Sequence, residues 1–491
     1  LDNGAVIEAA SSSVSTPTKN LSQFIRADYS FDGKYLAGLT IRRDGCSRFS
    51  KSDRFGVFPA LSAGWLLTRE QFMSSISWID ELKIRGSWGI TGNQFAVSPL
   101  SQFMFFSSDA STSFYDLYGT FNSSSRGFYP VTVGNPSVKW EESKVLDLGI
   151  ESSLFENQVS LVFDWYSKNN NDLLFNETLP GTAGGIEPIW INSASIKTTG
   201  IDLTVAYNKK FGRLGVNATA IISAYKSTIE RISDSFGFFD DSNSPIGPLV
   251  RNMEGGPLSA FYGYRVAGIF ASADDVNQAP YQSGAEPGFL RFENNDTLTY
   301  YDYLIGARKY YISAGDKVII GDPNPDFTYG LNIDLTYGKL DLSAMFYGSS
   351  GNEIFNFNKW YTDFWCSYQG QKSHELLYDS WTSNNPTASV PKASNKSNFS
   401  TNTQVSSYYI ENGSFMRLKS LRLGYHFERI PYLDGCSLYL YLQGSNVFTL
   451  TKYSGLEPEI GGTASAFGVD KGTYPLAKQF LFGLRLTFNQ K

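Results

Sequence analysis

The sequence predicts an all-β chain: a transmembrane antiparallel β-barrel wall, with about 13 strands in this chain and long extracellular loops. Composition, a two-residue period and alternating loop lengths point to it. Aromatic residues make up 15% of the 491 positions, with 30 Tyr and 37 Phe, while charged residues are only 18%. An ordinary soluble domain carries about 25% charge. A surface short of charge and rich in rings fits a wall that faces lipid between two aromatic girdles.

The period of two is clear strand by strand. In 145–155, Leu146, Leu148 and Ile150 alternate with Asp147, Gly149 and Glu151; in 158–168, Val159, Leu161, Phe163 and Trp165 alternate with Gln158, Ser160, Asp164 and Lys168. The same rhythm runs through Leu82-Ile84-Trp88-Ile90, Ile201-Leu203-Val205-Tyr207, Leu331-Ile333-Leu335-Tyr337 and Leu421-Leu423-Tyr425-Phe427. A helix would repeat every 3.6 residues. The final segment sets Phe480, Phe482, Leu484, Leu486 and Phe488 toward lipid, and resembles the closing strand that barrel-assembly machinery reads; here Asn489-Gln490-Lys491 follows it.

Short turns at Asp32-Gly33, 156–158, 209–213 and 337–339, with moderate ones at 69–80 and 428–435, alternate with long polar loops at 44–56, 92–140, 169–196, 227–323, 351–412 and 449–475. Short periplasmic turns and long extracellular loops are the habit of outer-membrane barrels. The strands fall near 20–31, 34–44, 57–68, 81–91, 142–155, 158–168, 197–209, 213–226, 325–337, 339–350, 413–427, 435–448 and 477–488. The apolar run 258–270 is left in an extracellular loop, because a strand there would put the Gly338 turn outside. Counting back from the last strand makes residues 1–19 the end of an extracellular loop and 20–491 the C-terminal part of the barrel. Single-chain bacterial barrels have even strand counts, so the first strands are expected on an upstream stretch. The start at Leu1, without Met or a leader, agrees with a piece of a longer precursor.

Several classes are disfavoured. A net charge of −6 argues against nucleic acid. No run of 18 apolar residues supports a transmembrane helix. Cys46, Cys366 and Cys436 are too few and too far apart for a disulfide framework, and His374 and His426 alone are a poor basis for a His-based metal centre. No enzyme is read here: Asp147, Glu151, Asp164 and His426 are expected simply to line a wet lumen. The loop aromatics carry the binding signal. Trp360, Tyr361, Phe364, Trp365 and Tyr368 cluster in one loop, and Tyr300, Tyr301, Tyr303, Tyr310 and Tyr311 in another. Flat rings stack on sugars or clasp peptides, so Trp190, Tyr301, Trp360, Tyr361, Trp365, Tyr368 and Trp381 are the candidate substrate or partner contacts. The plainer reading is that such rings, with Arg251, pack the loops together or meet a partner.

Order and spacing of short motifs add a family. Gly33-Lys34-Tyr35-Leu36, Arg42-Arg43-Asp44-Gly45, Ser47-Arg48-Phe49 and Phe58 to Trp65 come first; Leu82 to Gly89 and Thr91-Gly92-Asn93 follow. Phe261-Tyr262-Gly263-Tyr264, Gly321 to Phe327, Tyr408 to Leu418, Asn446 to Thr449 and Gly455-Leu456-Glu457-Pro458-Glu459 complete the set. Together they resemble the SusC/RagA-type TonB-dependent transporters of Bacteroidetes, over essentially the whole chain. The resemblance implies a 22-strand barrel in the bacterial outer membrane, surrounded by the lipid bilayer and closed by a plug. It implies a SusD-type surface lipoprotein lid and a TonB complex acting through the N-terminal region. It also implies nutrient import of glycan fragments or oligopeptides, and admits a dimer of transporter–lipoprotein pairs. The alternative is a passive porin-like channel without energy coupling. No cofactor is expected. Calcium, which relatives hold on an Asp-x-Asn-x-Asp-Gly element, is disfavoured because Phe292 to Thr297 lacks the glycine and most of the carboxylate spacing.

Overall fold

A computed structural model describes residues 18–95, 97–108, 113–116, 119, 124–177, 182, 187, 189–232, 237–302, 306–428, 436–463 and 465–488. The expectations for 1–17, for Tyr303, for 429–435 and for Asn489-Gln490-Lys491 lie outside these residues.

Thirteen strands form one sheet in chain order: β1 Asn20–Phe31, β2 Tyr35–Cys46, β3 Phe55–Leu66, β4 Ile79–Asn93, β5 Glu141–Leu154, β6 Val159–Glu177, β7 Ile189–Phe211, β8 Leu214–Arg231, β9 Phe327–Tyr337, β10 Leu340–Ser350, β11 Phe415–Phe427, β12 Cys436–Thr451 and β13 Gln479–Phe488. Every neighbouring pair is antiparallel, as strands joined by simple hairpins must be. All thirteen predicted strands are present, and 258–270 stays out of the wall. Asp32 and Gly33, at φ 50° and 60°, make the tight β1–β2 turn that this left-handed backbone favours.

One boundary differs. The predicted loop 169–196 is largely strand, because β6 runs on to Glu177 and β7 starts at Ile189. The outward residues change from Trp165 and Ile201 to Ser167, Asn169, Thr199 and Lys197, so the apolar rhythm stops while the hydrogen-bond ladder continues. This hairpin therefore stands well above the lipid-facing band.

Register fixes the two faces, since directly paired residues share a face. Leu148, Trp165, Ile201 and Ala224 lie in one outward row. Phe482, Leu442, Leu423 and Leu342 lie in another. The inward rows carry Arg85, Gly149, Asp164 and Asp202. Rings gather beside the short turns: Tyr35 stacks on Trp65 at 6.2 Å, Trp78 on Phe155 at 5.9 Å, and Tyr425 meets Phe427 at 4.5 Å. These amphipathic side chains mark the periplasmic rim of the bilayer.

Above the wall, the long loops fold rather than trail. Segments Phe238–Ser244, Gly247–Met253, Phe261–Gly263 and Val318–Gly321 form a four-stranded sheet. Glu353–Asn356 pairs with Ile410–Asn412 at the other end of the same loop and with Val469–Asp470 of the loop after β12, so two loops share one small sheet. The core beneath them contains Leu249, Phe261, Tyr264, Phe292, Phe355, Phe364 and Tyr409. A second core joins Phe49, Phe58, Val97, Val138 and Trp140 at the start of the wall. In it Gly92 is needed for space: a Cβ there would sit 2.1 Å from the Phe58 ring, which Trp140 holds at 5.5 Å. Gly92→Ala is expected to destabilise this end by about 1–3 kcal/mol, the usual cost of overpacking. A lower unfolding temperature of the intact protein checks it; an unchanged one would mean that Phe58 yields freely.

Candidate functional site

The inner wall is charged but internally matched. Arg85 on β4 reaches Asp147 at 2.8 Å and Glu151 at 2.6 Å on β5, and Asp164 on β6 at 2.7 Å; Lys83 adds a contact to Glu151 at 3.2 Å. Three of the acids expected to line a wet lumen thus converge on one guanidinium. Its planar fork suits several carboxylates at once. Arg26–Asp28 and Arg42–Asp44 repeat the pairing at 2.7 and 2.6 Å on β1 and β2. Further round, Asp202 accepts from Ser223, Asp334 from Ser343, and Asp341 from Tyr439 at 2.9 Å. His426 stacks on Tyr439 and lies 3.2 Å from Asp341. Such a surface is hydrophilic without a large field of one sign, which suits passage of polar solutes.

The cap is fastened to the wall where two sequence motifs meet. Arg417, at the top of β11, contacts Glu457 at 2.5 Å and Glu459 at 2.9 Å; both Arg417 and Glu457 are only 3% exposed. Lys419 also reaches Glu459. Nearby, Glu411 takes Lys359 at 2.9 Å and both the N–H and hydroxyl of Ser454. Burial opposes the charge on Glu411, but the Lys359 ammonium and the Ser454 donors outweigh it and hold the carboxyl below the usual range. The Tyr408 phenol is pushed well above its usual value, first by burial and then by Asp363, to which it donates at 2.8 Å. Burial, with Asp316 nearby, raises Tyr264 to about 12.

Tyr408 and Glu411 border a cavity of about 680 Å³ between the β10–β11 loop and the loop that follows β12, lined also by Asn356, Lys359, Asp363, Ser454 and Asp470. Asp470 inside it accepts from the Tyr453 hydroxyl at 2.6 Å and from the N–H groups of Gly472 and Thr473.

The predicted contact residues divide by exposure. Trp360 packs against the cap core, stacks on Phe357 and donates to the Asn402 carbonyl. Tyr361 sits edge-on between Trp360 and Tyr368. Trp381 is buried with Lys392 over its ring, and Trp190 packs in the second core. Arg251 lies between the Phe238 and Tyr262 rings and pairs with Asp240. Trp365, Tyr368 and Tyr301 present their rings to solvent, at 55%, 57% and 50% exposure. Lys372 donates to the carbonyls of Tyr361, Phe364 and Tyr368, and so fixes the loop that carries two of the exposed rings. In the stretch considered for calcium, buried Asp316 accepts the N–H groups of Asn295, Asp296 and Ser313, while Asp296 accepts from Ser313 and Leu298. Those acids already serve as turn caps.

Sequence reasoning missed Arg85 as the hub and Arg417 as the anchor. Both stand in the quoted motifs, but only strand register and loop closure reveal their partners.

A family model described as TonB dependent receptor-like, beta-barrel, matches residues 2–443. TonB-dependent receptor P3 of Formosa agariphila is 31% identical over 99% of this chain and 47% of that protein. TonB-dependent receptor SusC of Bacteroides thetaiotaomicron is 26% identical over 95% of this chain and 44% of that protein. The chain thus spans about half the length of these curated relatives. Among solved structures, the RagAB peptide transporter superposes with a TM-score of 0.77 at 24% identity, over 96% of this chain and 48% of that one.

Proposed function

Because the chain belongs to the TonB-dependent receptor β-barrel family, whose members are outer-membrane receptors and not enzymes, we propose that it forms the wall and cap of an energised importer of oligopeptides or glycan fragments. The observation that carries this reading is the cap: loops from three parts of the chain share one core over a hydrophilic inner wall. A passive pore has no need to order so much mass above its lumen. A SusD-type lipoprotein would seat against this cap as a lid, and a TonB complex would pull on a plug domain; pairing of two such complexes is compatible with it. The name of RagAB, a peptide transporter of the same fold, supports the peptide arm.

Trp365 and Tyr368 are the best placed to hold a ligand, being exposed rings on a fixed loop. Replacing both by alanine is expected to raise the concentration for half-maximal uptake by about tenfold, the scale of losing one or two aromatic anchors. Concentration-dependent uptake of labelled peptide and oligosaccharide mixtures by cells making the intact protein would measure it.

Energy coupling has its own test. Uptake should stop when a protonophore collapses the proton gradient, and the intact plugged protein should show no large steady conductance in a planar bilayer. Unabated uptake with a steady open current would establish the passive channel instead.

A further inference from the structure

Four hydrogen-bond donors meet on the outward face of β7 and β8. Register pairs Lys197 with Thr228 and Thr199 with Lys226. All four belong to the same outward rows as Ile201 and Ala224, one and two steps above them. Two ammonium groups and two hydroxyls therefore form a square on neighbouring strands. Lys197 and Lys226 are exposed, and neither makes an ion pair among the described residues.

Their height is set by the strand itself. Lys209, also outward, lies twelve positions below Lys197 on β7, beside the short β7–β8 turn. At about 3.3 Å per residue and a tilt near 45°, twelve residues rise roughly 28 Å. That matches the hydrocarbon thickness of about 25–30 Å, so Lys209 marks the inner rim and the square sits at the headgroups of the outer leaflet.

Beside the square the wall opens. The β8–β9 pairing stops at Ser223 and Thr328, and β8 continues upward without that neighbour. The opening is a groove of about 810 Å³, lined by Trp165, Ile201 and Ala224 from the lipid-facing rows, with Thr199, Lys226 and Thr228 above them. Asp322 and Asp326 border its far side, and the exposed Glu230 follows two residues above Thr228. Asp322 already accepts from the backbone and side chain of Asn324.

We propose that this groove is a binding site for a phosphorylated lipid of the outer leaflet, with its phosphate in the Lys197–Thr199–Lys226–Thr228 square. Charge complementarity selects the head: two unpaired ammonium groups with two hydroxyl donors suit a phosphate monoester better than a neutral sugar. The apolar floor, continuous with the lipid-facing wall, receives the first part of the acyl chains. Asp322 and Asp326 face the part of the headgroup that carries hydroxyl or amine donors. The site lies outside the barrel and is independent of what the lumen transports.

Native mass spectrometry of the intact full-length protein, titrated with diphosphorylated lipid A, tests this. Lys197→Gln with Lys226→Gln is expected to weaken binding at least about tenfold, from the attraction normally carried by each interfacial lysine. Lys197→Arg with Lys226→Arg should retain it, and so should Lys209→Gln with Lys210→Gln at the opposite rim. Lipid A stripped of its phosphates should bind as weakly to the native protein as the intact lipid does to the Lys197→Gln, Lys226→Gln variant. The site is refuted if that variant binds lipid A like the native protein, if the dephosphorylated lipid binds equally well, or if the Lys209 and Lys210 substitutions weaken binding as much. All the substituted lysines are charged surface groups of the wall, so heat-resistant electrophoretic migration of each variant confirms that the barrel has folded.

Discussion

Glu457→Gln should release the cap from the wall. Glu457 and Arg417 are each 3% exposed, and Arg417 would be left with Glu459 alone. Removing one partner of a buried ion pair typically costs about 3–5 kcal/mol, because the remaining charge stays buried and undercompensated. The loss is local, since Arg417 sits at the top of β11 and Glu457 in the loop that follows β12. The sheet below should remain intact, while proteolysis within 452–478 of the folded protein accelerates on the order of a hundredfold. Replacing Arg417 and Glu457 together by methionine should recover most of the resistance, as apolar replacement of both partners often does; Lys419 still holds Glu459. Equal cleavage of native and Glu457→Gln protein would remove the anchor from this account. Acid should act in the same direction. Burial disfavours the Glu457 charge, but the Leu476 N–H, the Arg417 guanidinium and the Glu459 N–H outweigh it, and the carboxyl lies below its usual value. A carboxyl depressed in the folded state stabilises above its unfolded value, and that contribution is lost as pH falls through the folded one. The cap should hold throughout the neutral range and loosen only below the ordinary carboxylate range.

What the sequence revealed, and what it hid, follows from the range of the interactions. The wall was legible because each strand announces itself locally: Leu146-Leu148-Ile150 or Phe480-Phe482-Leu484 needs only period two and a nearby turn. The upper parts of β6 and β7 were read as loop because Asn169 and Lys197 leave the bilayer and no longer need to be apolar, although their ladder persists. Arg85 was unreadable as a hub because its three acids sit on two other strands, and only register brings them together. The cap was hidden for a stronger reason. Phe261, Phe355, Tyr409 and Val469 lie in segments of two to four residues with no period to detect, yet they close one core across more than 200 positions of chain. For the same reason the aromatic residues Trp360 and Trp381 could be singled out from sequence, but their burial could not.

That long-range core makes Phe355 the position where one substitution should disturb most of the cap. Its ring is fully buried, 5.7 Å from Phe261, 6.5 Å from Phe357 and 5.3 Å from Tyr409. Its backbone pairs with Ile410 of its own loop on one side and with Val469 of the loop after β12 on the other, and Phe261 brings a third loop against its ring, so three loops converge on this residue. Phe355→Ala removes the ring from a site where the backbone ladder limits collapse, and losses of about 3–5 kcal/mol are usual for such a change. A cap of short segments has little reserve against that, since each loop depends on the others for its apolar contacts. The expected result is a barrel that inserts and resists heat as before, with hydrogen exchange in 353–356, 410–412 and 469–470 accelerated together. Tyr409→Phe keeps the ring and should leave all three segments protected. If exchange rose only in 353–356, the loops would be independent flaps and not one folded lid. If all three rise together and energised uptake falls with them, the cap acts as a single cooperative unit whose order transport requires.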